Sequence, residues 1–119
     1  MSPTDTNASL QSLREQVIAK GNVSGTPCYI SKAAGAVITD VQGQTYIDFS
    51  GGIAVMNVGH SHPVVVEAIK RQAERFTHTC FMVVPYAPAV TLAEKLCAAV
   101  PGDFPKAAMF ANSGAEAVE

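Results

Sequence analysis

Residues 106–119, KAAMFANSGAEAVE, limit what this chain can become more than any other stretch. Ala107, Ala108, Met109, Phe110 and Ala111 form an apolar run too short for a helix and suited to a buried strand. Asn112, Ser113 and Gly114 interrupt it, and the residues from Ala115 to the end read as the first turn of a helix, acidic where the helix dipole favours acid. A strand, a turn of small residues and a helix start leave backbone N–H groups free at a point where glycine admits a ligand closely. Such a cradle suits an anion, and phosphate is the usual one. An N-capped helix after a strand is also ordinary structure, so the stretch gains meaning only from its surroundings. The last residue falls inside that helix.

Its 119 residues allow one domain with a modest core. With 48% hydrophobic and 15% charged residues the chain is globular rather than disordered, and it should bury much of its surface against itself or against partners. A net charge of −2 gives no reason to expect nucleic acid or an anionic membrane as partner. No apolar run approaches the roughly 20 residues of a membrane span. The first residues have neither a basic start nor an apolar signal core, and Cys28, Cys80 and Cys97 fit no disulfide framework. A reduced, cytoplasmic location is the expectation.

Taken in order, Asn7 can cap a helix with Leu10, Leu13, Val17 and Ile18 on one stripe and Gly21 as its stop, the core of a helical arm over residues 1–26. Residues 27–60 begin as a small antiparallel meander: CYIS, AVITD and TYIDF are three β-prone runs, separated at Ala34-Gly35 and at residues 41–44, where an acid before a glycine-bearing turn marks a hairpin. Residues 50–63, SGGIAVMNVGHSHP, form a long irregular segment of the kind that carries function. Pro63 is placed to open a helix with Val66, Ile69, Ala73 and Phe76 on one face and a Glu67–Arg71 pair on the other. A second irregular stretch, residues 77–86, precedes a helix from about Pro88 that should bury Leu92, Ala93, Leu96 and Cys97 and end before Pro101-Gly102.

Several chemistries can be set aside. His60-x-His62 and His78-x-Cys80 flank a helix, but a one-residue gap within each half is not the spacing of a structural zinc site; His62 reads as a helix-start residue and His60 as a turn residue bonded to backbone. Ser113 lies in Asn-Ser-Gly-Ala, which is not the Gly-x-Ser-x-Gly nucleophile elbow. No Gly-Lys-Ser/Thr follows the turn and no Gly-x-Gly-x-x-Gly is present, so neither a nucleotide P-loop nor a dinucleotide fingerprint is available. An anion site at 113–115 would hold its phosphate with backbone donors, without an adjacent lysine or a metal.

The order of the motifs narrows the choice. Asp48-Phe49 with Gly51-Gly52-Ile53-Ala54-Val55, then Asn57-x-Gly59-His60-x-His62-Pro63, then His78-Thr79-Cys80-Phe81, then Val100-Pro101-Gly102-Asp103-Phe104, then Asn112-Ser113-Gly114-Ala115-Glu116-Ala117, resembles the class III, pyridoxal-phosphate-dependent aminotransferases, and within them the bacterial 4-aminobutyrate branch. The resemblance implies an α/β chain: an N-terminal helix, a small antiparallel meander and, over residues 61–119, the start of the large domain of the type I fold of pyridoxal-phosphate enzymes. It implies a homodimer, or a dimer of dimers, when full length. It implies that Gly114 and Ala115 hold the phosphate of pyridoxal 5'-phosphate through backbone N–H groups with Ser113 supporting the turn; Ala115 stands where some relatives have a hydroxyl residue. Ile53 and Met82 match positions that line the substrate pocket, and an apolar pair suits the methylene chain of an ω-amino acid while leaving its carboxylate to a cation elsewhere. The partners implied are a small amino donor and a 2-oxo acid acceptor such as 2-oxoglutarate.

The family's lysine, its acid for the pyridine nitrogen and its ring-stacking aromatic residue have no match here, and Lys20, Lys32, Lys70, Lys95 and Lys106 read as surface or helix-flanking residues. No residue of this chain is assigned a catalytic role, none a metal, and the chain alone is expected to be inactive. A second expectation is a non-catalytic relative that only associates with full-length subunits; an independent phosphate-binding domain is disfavoured, because a single strand offers no sheet to build on.

Overall fold

The computed structural model describes residues 5–119, so the first four residues of the expected arm lie outside the described residues. The chain forms two compact units, Met1–Gln72 and Ala73–Glu119.

The first unit is built on a helix and a three-stranded meander. Helix α1 spans Asn7–Val17. Its cap is Thr6 rather than Asn7: the Thr6 hydroxyl accepts the Ser9 N–H at 3.1 Å and the Ser9 hydroxyl accepts the Thr6 N–H at 2.9 Å, a reciprocal capping box. The helix also stops earlier than Gly21, with Ile18 already extended, because consecutive β-branched Val17 and Ile18 favour extended backbone over a further helical turn. Of the expected stripe only Leu10 is half-buried.

Strands β1 (Ile30–Ala34), β2 (Val37–Asp40) and β3 (Thr45–Ile47) lie antiparallel in the order β1-β2-β3, as the three runs predict. Ala33 faces Ile38, and Ile38 faces Tyr46. Asp40 sets the second turn, its Oδ1 accepting the N–H groups of Gln42 and Gln44 at 2.9 Å each, while Gly43 takes the left-handed conformation at φ 84°. A single left-handed turn, α2 (Gly51–Ala54), and helix α3 (Pro63–Ala73) follow, with Pro63 opening the helix as expected. The surface pair on α3 is Glu67 with Lys70 at 2.9 Å rather than with Arg71.

The second unit carries α4 (Ala87–Ala99) and the short α5 (Gly114–Val118). Tyr86, ahead of α4, packs its ring against Phe76 at 5.8 Å and Phe81 at 5.3 Å. After α4, Lys106 donates to the carbonyls of Val100 at 2.7 Å and Gly102 at 2.6 Å, placing a cation where the helix carbonyls are unsatisfied. The expected strand at 107–111 is not formed. The segment has no ladder partner among the described residues, and Met109 is 83% exposed.

The modest core expected from length is absent too. Among the described residues no hydrophobic side chain is fully buried, and the buried residue is Asp40, at 2% exposure. On α4, Leu92 and Leu96 are exposed and Cys97 is half-buried; residues 104–108 border Leu96 and Cys97 without covering them. Both units therefore present apolar faces of the kind that are covered in a larger body.

Candidate functional site

In the second unit, Ser113 is the N-cap of α5, extended at φ −149° and ψ 159°. Its hydroxyl accepts the Glu116 N–H at 3.2 Å, and the Glu116 carboxylate reaches back to the Asn112 N–H at 2.8 Å. Two of the donors at this turn are thus satisfied by side chains. The N–H groups of Gly114 and Ala115 make no hydrogen bond among the described residues. Beyond its chain neighbours and the backbone of its own helix, a side chain begun at Gly114 would meet no heavy atom within 4 Å. Two adjacent free donors, open space in front of them and a serine hydroxyl with its proton still to give can receive an anion. Ser113, Gly114 and Ala115, named from sequence, are brought together in one turn; the ammonium of Lys106, the nearest lysine in sequence, is engaged by the carbonyls of Val100 and Gly102.

Met82 belongs to the same unit. Residues 79–84 fold into a tight turn in which Cys80 takes φ 57°, its carbonyl accepts the N–H groups of Val83 at 2.8 Å and Val84 at 3.0 Å, and the Thr79 hydroxyl donates to the Val84 carbonyl at 2.8 Å. The turn leaves Met82 95% exposed.

Ile53 belongs to the first unit and sits in an unusual backbone. Gly51, Gly52, Ile53 and Ala54 all have positive φ, between 50° and 63°, and the Ala54 and Val55 N–H groups bond the carbonyls of Ser50 and Gly51 at 3.0 Å each. This is one turn of left-handed helix. Glycine enters it freely, whereas Ile53 and Ala54 each pay roughly 1–2 kcal/mol in steric strain, and a β-branched residue there is rare. Such strain persists only where neighbours over-determine it.

Here the neighbour is Asp48. Its Oδ1 accepts the Ser50 N–H at 2.9 Å, the Ser50 hydroxyl at 2.7 Å and the Gly51 N–H at 3.0 Å; its Oδ2 lies 2.6 Å from His60 Nε2. These bonds, that from His60 foremost and then those from Ser50 and Gly51, hold the Asp48 carboxyl well below the usual carboxylate range. His60 is fixed in turn through its backbone, which exchanges hydrogen bonds with Gly35 at 2.8 and 2.9 Å. The backbone role expected of His60 is present, and its ring has a second role that the motif reading missed. An aspartate two and three residues ahead of Ser50 and Gly51 was the available signal, since aspartate commonly bonds backbone two residues on. Among the described residues no group of three or more His, Cys, Asp or Glu side chains is placed to hold a metal ion.

Comparison with known proteins gives these turns a context. The sequence matches the family model "Aminotransferase class-III" over residues 18–119. It is 50% identical over 114 residues to a Bacillus subtilis protein described as "Probable 4-aminobutyrate aminotransferase", covering 96% of this chain and 26% of that one. It is 45% identical over 114 residues to the Pseudomonas aeruginosa 5-aminovalerate aminotransferase DavT, covering 96% of this chain and 27% of that one. The chain thus spans about a quarter of the length of these relatives. Among solved structures, the acetylornithine aminotransferase of Elizabethkingia anophelis superposes with a TM-score of 0.72 at 27% identity, over 80% of this chain and 24% of that one. The helices and small antiparallel sheet are consistent with part of the pyridoxal-phosphate aminotransferase fold. The chain belongs to the class III aminotransferases, a family dependent on pyridoxal phosphate.

Proposed function

We propose that this chain supplies the phosphate-binding turn and part of the amino-donor pocket of an aminotransferase that moves the amino group of an ω-amino acid, 4-aminobutyrate first, to a 2-oxo acid such as 2-oxoglutarate. The free N–H groups of Gly114 and Ala115, facing open space at a capped helix start, carry this reading. They fit a phosphate in number and chemistry: both would donate to its oxygens, and the Ser113 hydroxyl, which already accepts from Glu116, would be free to donate a third bond. Bound there, the cofactor supplies the electron sink that amino-group transfer requires.

Ile53 and Met82, both almost fully exposed within their own units, offer apolar surface for the donor's methylene chain. The relatives' names cover donors of four and five carbons, which accords with contacts that sense length weakly and leave the carboxylate to a cation elsewhere. The residues of this chain bind and orient, and they do not carry the transfer. Lys70 is engaged with Glu67, and Lys106 with the carbonyls of Val100 and Gly102 that follow α4. The exposed apolar faces support assembly with the remainder of a catalytic body; the proposal takes that assembly to be a homodimer in the cytoplasm. The division into an arm (1–26), a β segment (27–60) and the start of the cofactor-binding domain (61–119) is part of the same proposal.

The test is a titration of the labelled chain with pyridoxal phosphate, followed by amide NMR, beside an assay for glutamate formed from 4-aminobutyrate and 2-oxoglutarate. The expected result is displacement of the Gly114 and Ala115 amide signals with no glutamate formed by this chain alone. Unmoved signals at those amides would overturn the placement, and glutamate formation would overturn the assignment of a binding role only. A second reading, a chain that merely associates with complete subunits, is favoured by the open face of α4 at Leu92 and Leu96. Co-sedimentation with a complete subunit while the Gly114 signal stays unmoved would select it.

A further inference from the structure

We propose that Asp48 and His60 are positioning residues for the donor pocket: the carboxylate, locked by the imidazole, holds residues 51–54 in the left-handed turn that aims Ile53. This rests on the reading of Ile53 as a donor contact.

The geometry assigns each atom a task. Oδ1 of Asp48 gathers three donors from Ser50 and Gly51, so the residue before the turn and the first residue within it are tied to one oxygen. Oδ2 is left for His60 Nε2, and that contact at 2.6 Å fixes the carboxylate's rotation. Without it the carboxylate can turn about its bond to Cβ, and the three bonds at Oδ1 no longer share a defined direction.

Both ends of the pair are anchored outside the turn. The Asp48 N–H donates to the Ala36 carbonyl at 2.9 Å, and the His60 backbone is bridged to Gly35. The β1–β2 connection thus carries the two halves of the clamp, and the irregular segment between residues 48 and 60 is held at both ends. The meander becomes the support that decides where Ile53 points. Ile53 itself has little to fix it, being 91% exposed at φ 63°. A β-branched residue relaxes to negative φ once the clamp is loosened, and its side chain then leaves the direction it now has.

The experiment uses the full chain in four forms: unaltered, His60→Ala, His60→Gln and Asp48→Asn. The readout is the intraresidue amide–Hα NOE of Ile53 and Ala54, which is intense only at positive φ. The unaltered chain is expected to show it at both residues. His60→Ala should lose it while the amide signals of β1–β3 keep their positions, and His60→Gln, whose amide nitrogen can still donate to Oδ2, should restore most of it. Asp48→Asn keeps the size of the side chain, exchanges one acceptor for a donor, and should weaken the NOE. If His60→Ala loses the β1–β3 signals as well, the Gln and Asn variants decide. Intense NOEs in every form would overturn the proposal, as would a Gln variant indistinguishable from the Ala variant. In a transaminating assembly that includes this chain, His60→Ala should raise KM for the donor about tenfold with kcat little changed. An assembly that never transaminates defeats the donor-contact reading, and the NMR result still decides whether the pair holds the turn.

Discussion

Asn7 and Asp40 are joined at 2.8 Å, Nδ2 donating to Oδ2, although 33 positions separate them. The other end of the same amide accepts the Tyr29 N–H at 2.8 Å, so a single side chain fastens α1 to both the start of β1 and the end of β2. Asp40 is the buried polar residue of this unit, and its carboxylate also receives Gln42, Gln44 and Tyr46. Asn7→Ala therefore removes two bonds where apolar burial offers little compensation. The expected outcome is a fall in melting temperature of about 4–8 °C, read by circular dichroism. A change within error would mean that α1 is held by other contacts.

Tyr46 should titrate late. The Cys28 thiol at 3.8 Å, burial, and the Asp40 carboxylate at 3.2 Å push its phenol up to about 12. The folded value lies above the unfolded one near 10, so the contribution to stability is whole below about pH 10 and is lost as pH rises towards 12. A spectrophotometric titration of tyrosinate should resolve one late step, absent from Tyr46→Phe. Titration of every tyrosine near its ordinary value would contradict the arrangement.

The acid side has the opposite sign. The bonds from His60, Ser50 and Gly51 lower the Asp48 carboxyl, so what they contribute is present above the unfolded value of about 4 and is lost as pH falls below it. Denaturant unfolding between about pH 5 and pH 2 should show a steeper loss of stability for the unaltered chain than for Asp48→Asn. Parallel curves would place the acid sensitivity elsewhere.

The meander, α3 and α4 were legible because each is written in local chemistry: β-prone runs cut by glycine turns, and a proline at the start of each helix. The capped turn at residues 113–115 was legible for the same reason, since Ser113, Gly114 and Ala115 form it from adjacent positions. What sequence could not give are features made by distant partners. Residues 107–111 have the composition of a strand, but strandhood needs a neighbouring ladder, and none is present among the described residues. Leu92 and Leu96 have the spacing of a buried face, but burial needs an opposing surface. The Asp48–His60 contact joins residues 12 apart across an irregular segment, where no periodicity announces it. The left-handed sign of Ile53 is hidden equally well, because its own residue type argues against it.

Among the glycines of the first unit, Gly59 is the one where an added methyl group would meet neighbouring backbone most closely. A methyl group there would lie 3.0 Å from the Gly35 Cα and 3.1 Å from its carbonyl oxygen, and Gly59 has φ 79°. Neither contact involves a flexible side chain that could move aside. Gly59→Ala is expected to cost about 1–3 kcal/mol in a denaturant titration, from strain at positive φ and the forced separation of the Gly35–His60 bridge. A cost below about 0.5 kcal/mol would show that the bridge is not maintained in solution.

Gly114→Val separates ligand binding from folding. A Cβ added at Gly114 meets nothing within 4 Å outside its chain neighbours and its own helix, so the fold should tolerate valine there, with an unchanged circular dichroism spectrum. A phosphate drawn to the Gly114 and Ala115 N–H groups would have to occupy the region those two methyl groups screen. Affinity for pyridoxal phosphate should fall at least tenfold, about 1.4 kcal/mol, and Gly114→Ala should lie between the two. Ser113→Ala should act differently: it removes the cap on the Glu116 N–H, so it should loosen α5 as well as weaken the cofactor. Equal affinities for the unaltered chain and Gly114→Val, measured by fluorescence titration with a folded variant, would rule out this turn as the phosphate site.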